Sequence, residues 1–235
     1  MPSKQAPKYQ FINPTIDIDK IHSYEVNPKE PFFWHDIIKD APICQELMAN
    51  WEAIRDEVVE YLKNPAALWN YPKYSVNYQS ATYDLYSHYW KAAPMSAFEA
   101  EYIDQGANPF QLEILYKVIK AGKKACPVLN SIISPLERDG HLRNSFLSRL
   151  VPGSIIRPHD GTSPNFMRVH LGLVCDPECK ITVGGETQTW QEGKLIAFKD
   201  GGPHLHSVKH EGTHERIVVS CDVRIESYLK PYMNI

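Results

Sequence analysis

No run of about 18 apolar residues occurs anywhere in the 235-residue chain, which excludes a membrane-spanning helix of ordinary length. The opening stretch, MPSKQAPKYQFINP, has no apolar core of signal-peptide length, so a soluble, cytoplasmic protein is expected. Cysteine is scarce. The five, at Cys44, Cys126, Cys175, Cys179 and Cys221, are odd in number and scattered, which argues against a disulfide framework. Cys175 and Cys179 have no companion pair at zinc-finger spacing and read as ordinary reduced thiols. Neither sign of charge is in excess. A net charge of −3 supplies no electrostatic reason to expect nucleic acid or an anionic membrane as partner. Internal repeats and low-complexity tracts are absent as well. Tyrosine and proline, by contrast, are plentiful: 13 and 18 favour strands, turns and ordered loops over long helical bundles.

The pattern along the chain divides it into two layers of a single domain. Residues 1–143 form a helical and aromatic N-terminal layer. Its first 40 residues read as an extended arm, anchored to the body through the aromatics of PFFWHDII (31–38). Ile43, Leu47, Trp51, Ile54, Val58 and Tyr61 recur three or four apart, which predicts one helix over 41–63, ended by Asn64-Pro65. Seven aromatics from Tyr71 to Trp90 suggest strands. Pro109 and the stripe Leu112, Leu115, Val118 and Ile119 predict a second helix over 108–125. Residues 144–225 read differently. Short apolar runs (FLSRLVPGS, MRVHLGLV, CKITVGGETQTW, KLIAFKDGG, ERIVVSCDV) alternate with turn signals at spacings of roughly 8–12 residues. Gly184-Gly185 marks a tight hairpin turn. The expected fold is mainly β: a double-stranded β-helix, or jelly roll, with N-terminal helices packed on it.

Polar residues inside these otherwise apolar strands carry the chemistry. Arg216 opens RIVVSCDV, and Arg168 stands in MRVHLGLV with His170 on the same face two residues on. A buried guanidinium is costly unless paired, and its fork suits a carboxylate. Two arginines and a histidine of this kind point to an anionic small molecule; an internal ion pair with Asp222 or another acid is the alternative. Of the ten histidines, His159 ends a strand before Asp160-Gly161, while His204 and His206 follow the turn DGGP. Imidazoles so placed suit iron, copper, nickel or zinc. His210 and His214 lie in a polar turn and read as solvated.

These pieces resemble the aspartyl/asparaginyl β-hydroxylase family of oxygenases. The resemblance runs through LVPGSIIRPHDG (150–161), RVHLGLV (168–174), ETQTWQEGKLIAFKD (186–200) and the H-x-V…R…DV pattern from His206 to Val223, about a third of the chain. It implies a hydroxylase with Fe(II), and with 2-oxoglutarate and O2 as cosubstrates, acting on an amino-acid-like or peptidyl C–H bond. It implies His159 and His206 as the two iron ligands, with His204 as the alternative second ligand, and Gly161 where other oxygenases carry a carboxylate. By the same resemblance Ser148, Arg168, His170 and Arg216 bind 2-oxoglutarate. Asp200, or Asp160, anchors water at the metal from outside its ligand shell. Phe166 stands where many members have an arginine, so it is expected to face the substrate. Two other readings stay open: a halogenase with chloride in the vacant carboxylate position, and a non-catalytic metal-binding cupin.

Overall fold

The computed structural model describes residues 30–67, 69–70, 90–97, 108–159, 163–201 and 204–233. Helices α1 (His35–Ile38), α2 (Pro42–Ala49), α3 (Trp51–Leu62), α4 (Pro109–Ala125) and α5 (Pro127–Arg138) precede most of the sheet. The strands are β1 (Trp69–Asn70), β2 (Trp90–Ser96), β3 (Leu142–Leu150), β4 (Ile155–His159), β5 (Phe166–Val174), β6 (Cys179–Val183), β7 (Glu186–Thr189), β8 (Leu195–Lys199), β9 (His206–His210) and β10 (Arg216–Arg224). No helix among the described residues is long and apolar enough to cross a membrane.

Two antiparallel sheets result, one in the order β1-β2-β3-β10-β5-β8 and the other β4-β9-β6-β7. From β3 onward the chain crosses repeatedly between them, with β3, β5, β8 and β10 in the first and β4, β6, β7 and β9 in the second. That winding is a double-stranded β-helix, as the turn spacing predicts. The tight turn at Gly184-Gly185 joins β6 to β7, and both glycines have positive φ (57° and 104°).

The period of two along each strand explains where chemistry can sit. In β5, Met167, Val169, Leu171 and Leu173 face the helices, packing with Ile43, Leu47, Ile54, Val58, Leu129 and Ile133. In β10, Ile217, Val219, Cys221 and Val223 do the same. The alternate residues, Phe166, Arg168 and His170 of β5 and Arg216, Val218, Ser220 and Asp222 of β10, therefore point between the sheets. There a second core gathers Leu150, Ile156, Ile181, Trp190, Ile196, Phe198, Val208 and Val218.

The helical layer departs from expectation in two places. The segment predicted as one helix is two, broken at Asn50 (φ −110°, ψ 16°), whose side-chain amide donates to Glu46 O at 2.9 Å. An Asn side chain that bonds its own preceding turn competes with helix continuation. Helix α5 was not anticipated. Its exposed N–H groups are capped from far away, by the Glu57 carboxylate accepting from Val128 N (3.0 Å) and Leu129 N (2.8 Å). Helix α4 begins where predicted, on a reciprocal cap between Asn108 and Gln111, which contributes about 1 kcal/mol.

The arm behaves as its aromatics suggest from Glu30 onward. Trp34 N donates to Ala197 O (2.7 Å) at the edge of β8, Phe33 enters the core between the sheets, and Trp34 and Ile38 join the helical core. Phe32 lies so close over Gly184 that a Cβ there would stand 2.2 Å from its ring. The aromatic segment 71–89 lies outside the described residues; Trp90 opens β2.

One carboxylate staples two turns at the end of the barrel remote from His159. Asp176 accepts from the backbone N–H of Glu178 (2.9 Å), Thr213 (2.8 Å) and His214 (2.9 Å). The bonds from His214 and Glu178, then Thr213, pull its pKa from 3.8 down to about 2. A depressed carboxylate pKa means stabilisation present above pH 3.8 and lost as pH falls toward about 2. Asp176→Ala is therefore expected to lower the thermal midpoint at neutral pH and to flatten the acid limb of the stability curve in that window. An unchanged acid limb would show that the staple contributes nothing.

Candidate active site

Strand ends bring the site together. β4 and β8 finish, and β5 and β9 begin, at one end of the barrel, so His159, Asp200, Phe166 and His206 meet at that rim. His159 and His206 are register partners across β4 and β9, and their ring centroids are 4.1 Å apart. His206 is 4% exposed, and its Nδ1 has no hydrogen-bond partner among the described residues. Burial, reinforced by the nearby His159, Arg168 and His170, holds the His206 pKa well below the ordinary imidazole value, so the ring is neutral at pH 7. A neutral, buried imidazole with an unpartnered nitrogen, facing a second imidazole, fits a divalent transition metal. Among the described residues no group of three or more His, Cys, Asp and Glu side chains is arranged to hold a metal ion. The polar groups that meet here are the histidine pair and Asp200, whose Oδ1 is 4.0 Å from His206 Nε2. Asp160 and Gly161 lie outside the described residues.

His204 goes elsewhere. It is buried, with Phe32 edge-on to its ring at 5.1 Å and Glu30 3.7 Å from Nε2, and burial lowers its pKa despite that carboxylate. His210 corrects the sequence reading: it is buried on β9, with Nε2 bonded to His214 O at 2.7 Å, because β9 runs on to residue 210. His214 is exposed as expected.

Inward from the histidines runs a row of rings. Phe198 lies 4.8 Å from His206 and 5.5 Å from His170, and His170 lies 5.9 Å from Trp190. Trp190 Nε1 donates to His170 Nδ1 (3.3 Å), and burial with two flanking arginines (Arg216 and Arg168) keeps His170 neutral. A neutral ring accepting at Nδ1 carries its proton on Nε2. At the end of the row the Arg216 guanidinium lies over Trp190, 4.7 Å from the ring centroid. Arg216 is 2% exposed, and no carboxylate pairs with it among the described residues. Its Nη1 donates to Ser148 Oγ (3.2 Å), which also accepts from Trp90 Nε1 (2.9 Å).

Arg168 takes the alternative kept open in the sequence. Its Nε and Nη2 bond Asp222 bidentately (2.8 and 2.9 Å), and its Nη1 contacts Asp200 at 2.5 Å. Its charge is met inside the protein. Asp222, the partner named in the sequence, is an inner-face acid opposite Arg168; Trp190, Trp90 and Phe198 were not singled out for the site.

The fold is thus a double-stranded β-helix with a histidine pair at its rim and, within it, a buried arginine that no carboxylate pairs with among the described residues. A profile of the "Aspartyl/Asparaginyl beta-hydroxylase" family matches residues 48–225, and the chain belongs to that family. It is similar to "Aspartate beta-hydroxylase domain-containing protein 2" of Mus musculus, at 40% identity over 83 residues, 34% of this chain and 24% of that protein. It is also similar to "Aspartyl/asparaginyl beta-hydroxylase" of Homo sapiens, at 34% identity over 106 residues, 44% of this chain and 13% of that protein. The matched stretch thus spans a quarter or less of these relatives. Among solved structures, a Pseudomonas putida prolyl-4-hydroxylase overlays 74% of this chain and 86% of its own, with 14% identity and a TM-score of 0.40. That likeness is slight, and the fold assignment stands on the strand order.

Proposed function

We propose that the protein is an Fe(II)- and 2-oxoglutarate-dependent hydroxylase with a two-histidine metal site, acting on an amino-acid-like or peptidyl C–H bond. The observation that carries this reading is Arg216: a buried guanidinium without an acid partner is a standing demand for an anionic ligand. In this reading Arg216 and the Ser148 hydroxyl grip the remote carboxylate of 2-oxoglutarate. His170, neutral with its proton on Nε2, donates to the cosubstrate nearer the metal. His159 and His206 would hold the iron, whose bound form supplies the oxidative decarboxylation of 2-oxoglutarate that drives C–H hydroxylation. Arg168 acts through its acids: it fixes Asp200 beside His206, where that carboxylate orients water. Phe198 and Trp190 exclude bulk water from the row between histidines and arginine.

Metal analysis of protein loaded with iron without oxygen tests the ligand set. His159→Ala and His206→Ala are each expected to lose stoichiometric metal, and His204→Ala to retain it. Metal retained by His206→Ala but lost by His204→Ala would reverse the assignment. Succinate release across a panel of amino acids and peptides tests the reaction; its absence throughout would leave the binding-barrel reading in possession.

A further inference from the structure

The connection that carries His206 to the rim is held from outside. It runs from Lys199, the last residue of β8, to His206, the first of β9, and contains Gly201-Gly202-Pro203. Two glycines give such a stretch wide backbone freedom and no side chains with which to fix itself. Its start is pinned by Asp200 N, which donates to Phe166 O (3.3 Å). Gly201 beside it packs so closely on Ser163 that a Cβ would stand 2.5 Å from that residue's backbone. Its end is pinned by Leu205 O, which accepts from Gly184 N at 3.0 Å. Between these points lies His204. Its ring is 3% exposed, and neither nitrogen has a hydrogen-bond partner among the described residues. A buried polar group of that kind is rare and needs a reason.

The reason lies in the N-terminal arm. Phe32 stands edge-on to the His204 ring, at 5.1 Å and 90°. The same phenyl ring occupies the space over Gly184, where a Cβ would be 2.2 Å from it. Phe32 therefore bears on the connection itself and on the turn residue whose N–H holds Leu205. Gly184 also follows Val183, the register partner of His206 on β6. One ring thus backs the neighbours of His206 both along the chain and across the sheet. The arm that presents it is fastened to β8 on either side of Phe32. Trp34 N donates to Ala197 O (2.7 Å), and Glu30 pairs with Lys199, whose Nζ lies 5.0 Å from the Trp34 ring centroid.

We propose that Phe32 is a positioning residue for the metal centre: wedged between His204 and Gly184, it sets the ring of His206 opposite that of His159. The proposal rests on His206 as a metal ligand. Groups that stand behind metal ligands tune affinity by roughly 10–100-fold, and a site with two histidine ligands depends on the placing of each. His204 serves in this arrangement through the shape of its ring, which explains why its nitrogens need no partner.

Titration of the full chain with cobalt(II) alone tests it, the visible absorption of bound cobalt reporting the geometry at the metal. Phe32→Ala is expected to weaken cobalt affinity about tenfold or more and to alter that absorption, and Phe32→Tyr, which keeps the ring, to restore both. His204→Ala should cost a similar factor and still fill in excess metal. The double variant should bind no more weakly than the worse single, because both changes remove one contact. Glu57→Ala, which uncaps α5 in the helical layer, lowers stability but leaves cobalt affinity and absorption unchanged, so general loosening is told apart. Cobalt affinity untouched by Phe32→Ala, or losses that add in the double variant, would overturn the proposal while His206→Ala still abolishes binding. Affinity retained by His206→Ala overturns the ligand assignment instead. If Phe32→Ala does not fold, Phe32→Leu carries the test, since it fills the space over Gly184 without a ring edge for His204. Its expected loss is about threefold, and unchanged affinity overturns the proposal.

Discussion

Arg216→Met is expected to make the ligand-free protein more stable, by roughly 1–3 kcal/mol, while 2-oxoglutarate affinity falls by more than about 100-fold. The two effects share one cause. The guanidinium is 2% exposed, and burial pulls its pKa below the ordinary value even though the nearby Cys179 and Cys175 favour the charged form. Its polar partners among the described residues are Ser148 Oγ at 3.2 Å, a long contact to Ser148 O at 3.4 Å and the Cys179 thiol, and its Nε has none. The folded protein therefore carries a desolvated charge that, in the proposed reading, a ligand carboxylate compensates. A methionine of similar length keeps the contact with Trp190 without that cost. Denaturation curves with and without 2-oxoglutarate, together with a direct titration, separate the terms. Unaltered affinity would remove Arg216 from the cosubstrate site. A large loss of ligand-free stability would show that the protein itself satisfies the guanidinium.

Asp222→Ala should act in the opposite sense, costing roughly 3–5 kcal/mol of stability. Asp222 is 1% exposed and gives both oxygens to Arg168, at 2.8 and 2.9 Å. Deleting it leaves the Arg168 guanidinium, 12% exposed, with Asp200 as its remaining acid among the described residues. The loss should exceed that of Asp222→Asn, which keeps the shape and one acceptor. It should also reach the metal site, because a released Arg168 draws Asp200 away from His206. Urea denaturation of the two variants gives the ranking, and metal affinity gives the second effect. A cost below about 1 kcal/mol would mean that solvent reaches Arg168 and that the pair is an ordinary surface bridge.

Much of this site was legible because strands expose their function through parity. In MRVHLGLV the outward residues are Met, Val, Leu and Leu and the inward ones Arg, His and Gly, so Arg168 and His170 declared themselves as polar residues aimed at an interior. Arg216 did so by the same rule. Which residues share the rim of His159 was less visible, since that depends on the register between β4 and β9. Counting along the sequence could not choose between His204 and His206; pairing of β9 with β4 places the ring of His206 beside His159 and turns that of His204 to Phe32. Helix α5 was hidden for a related reason. Its cap comes from Glu57, on a different helix, and no local pattern records such a partner.

The strand order has a consequence for how the chain is made. β10 leaves the ribosome after the other nine described strands, yet it lies in the middle of the larger sheet, between β3 and β5. Until residues 216–224 emerge, that sheet exists as two unjoined pieces with open edges facing one another. The contact between Arg216 and Ser148, which spans 68 positions, closes together with the barrel itself. The pairing of Arg216 with Ser148 is thus made in the same event that joins the two pieces.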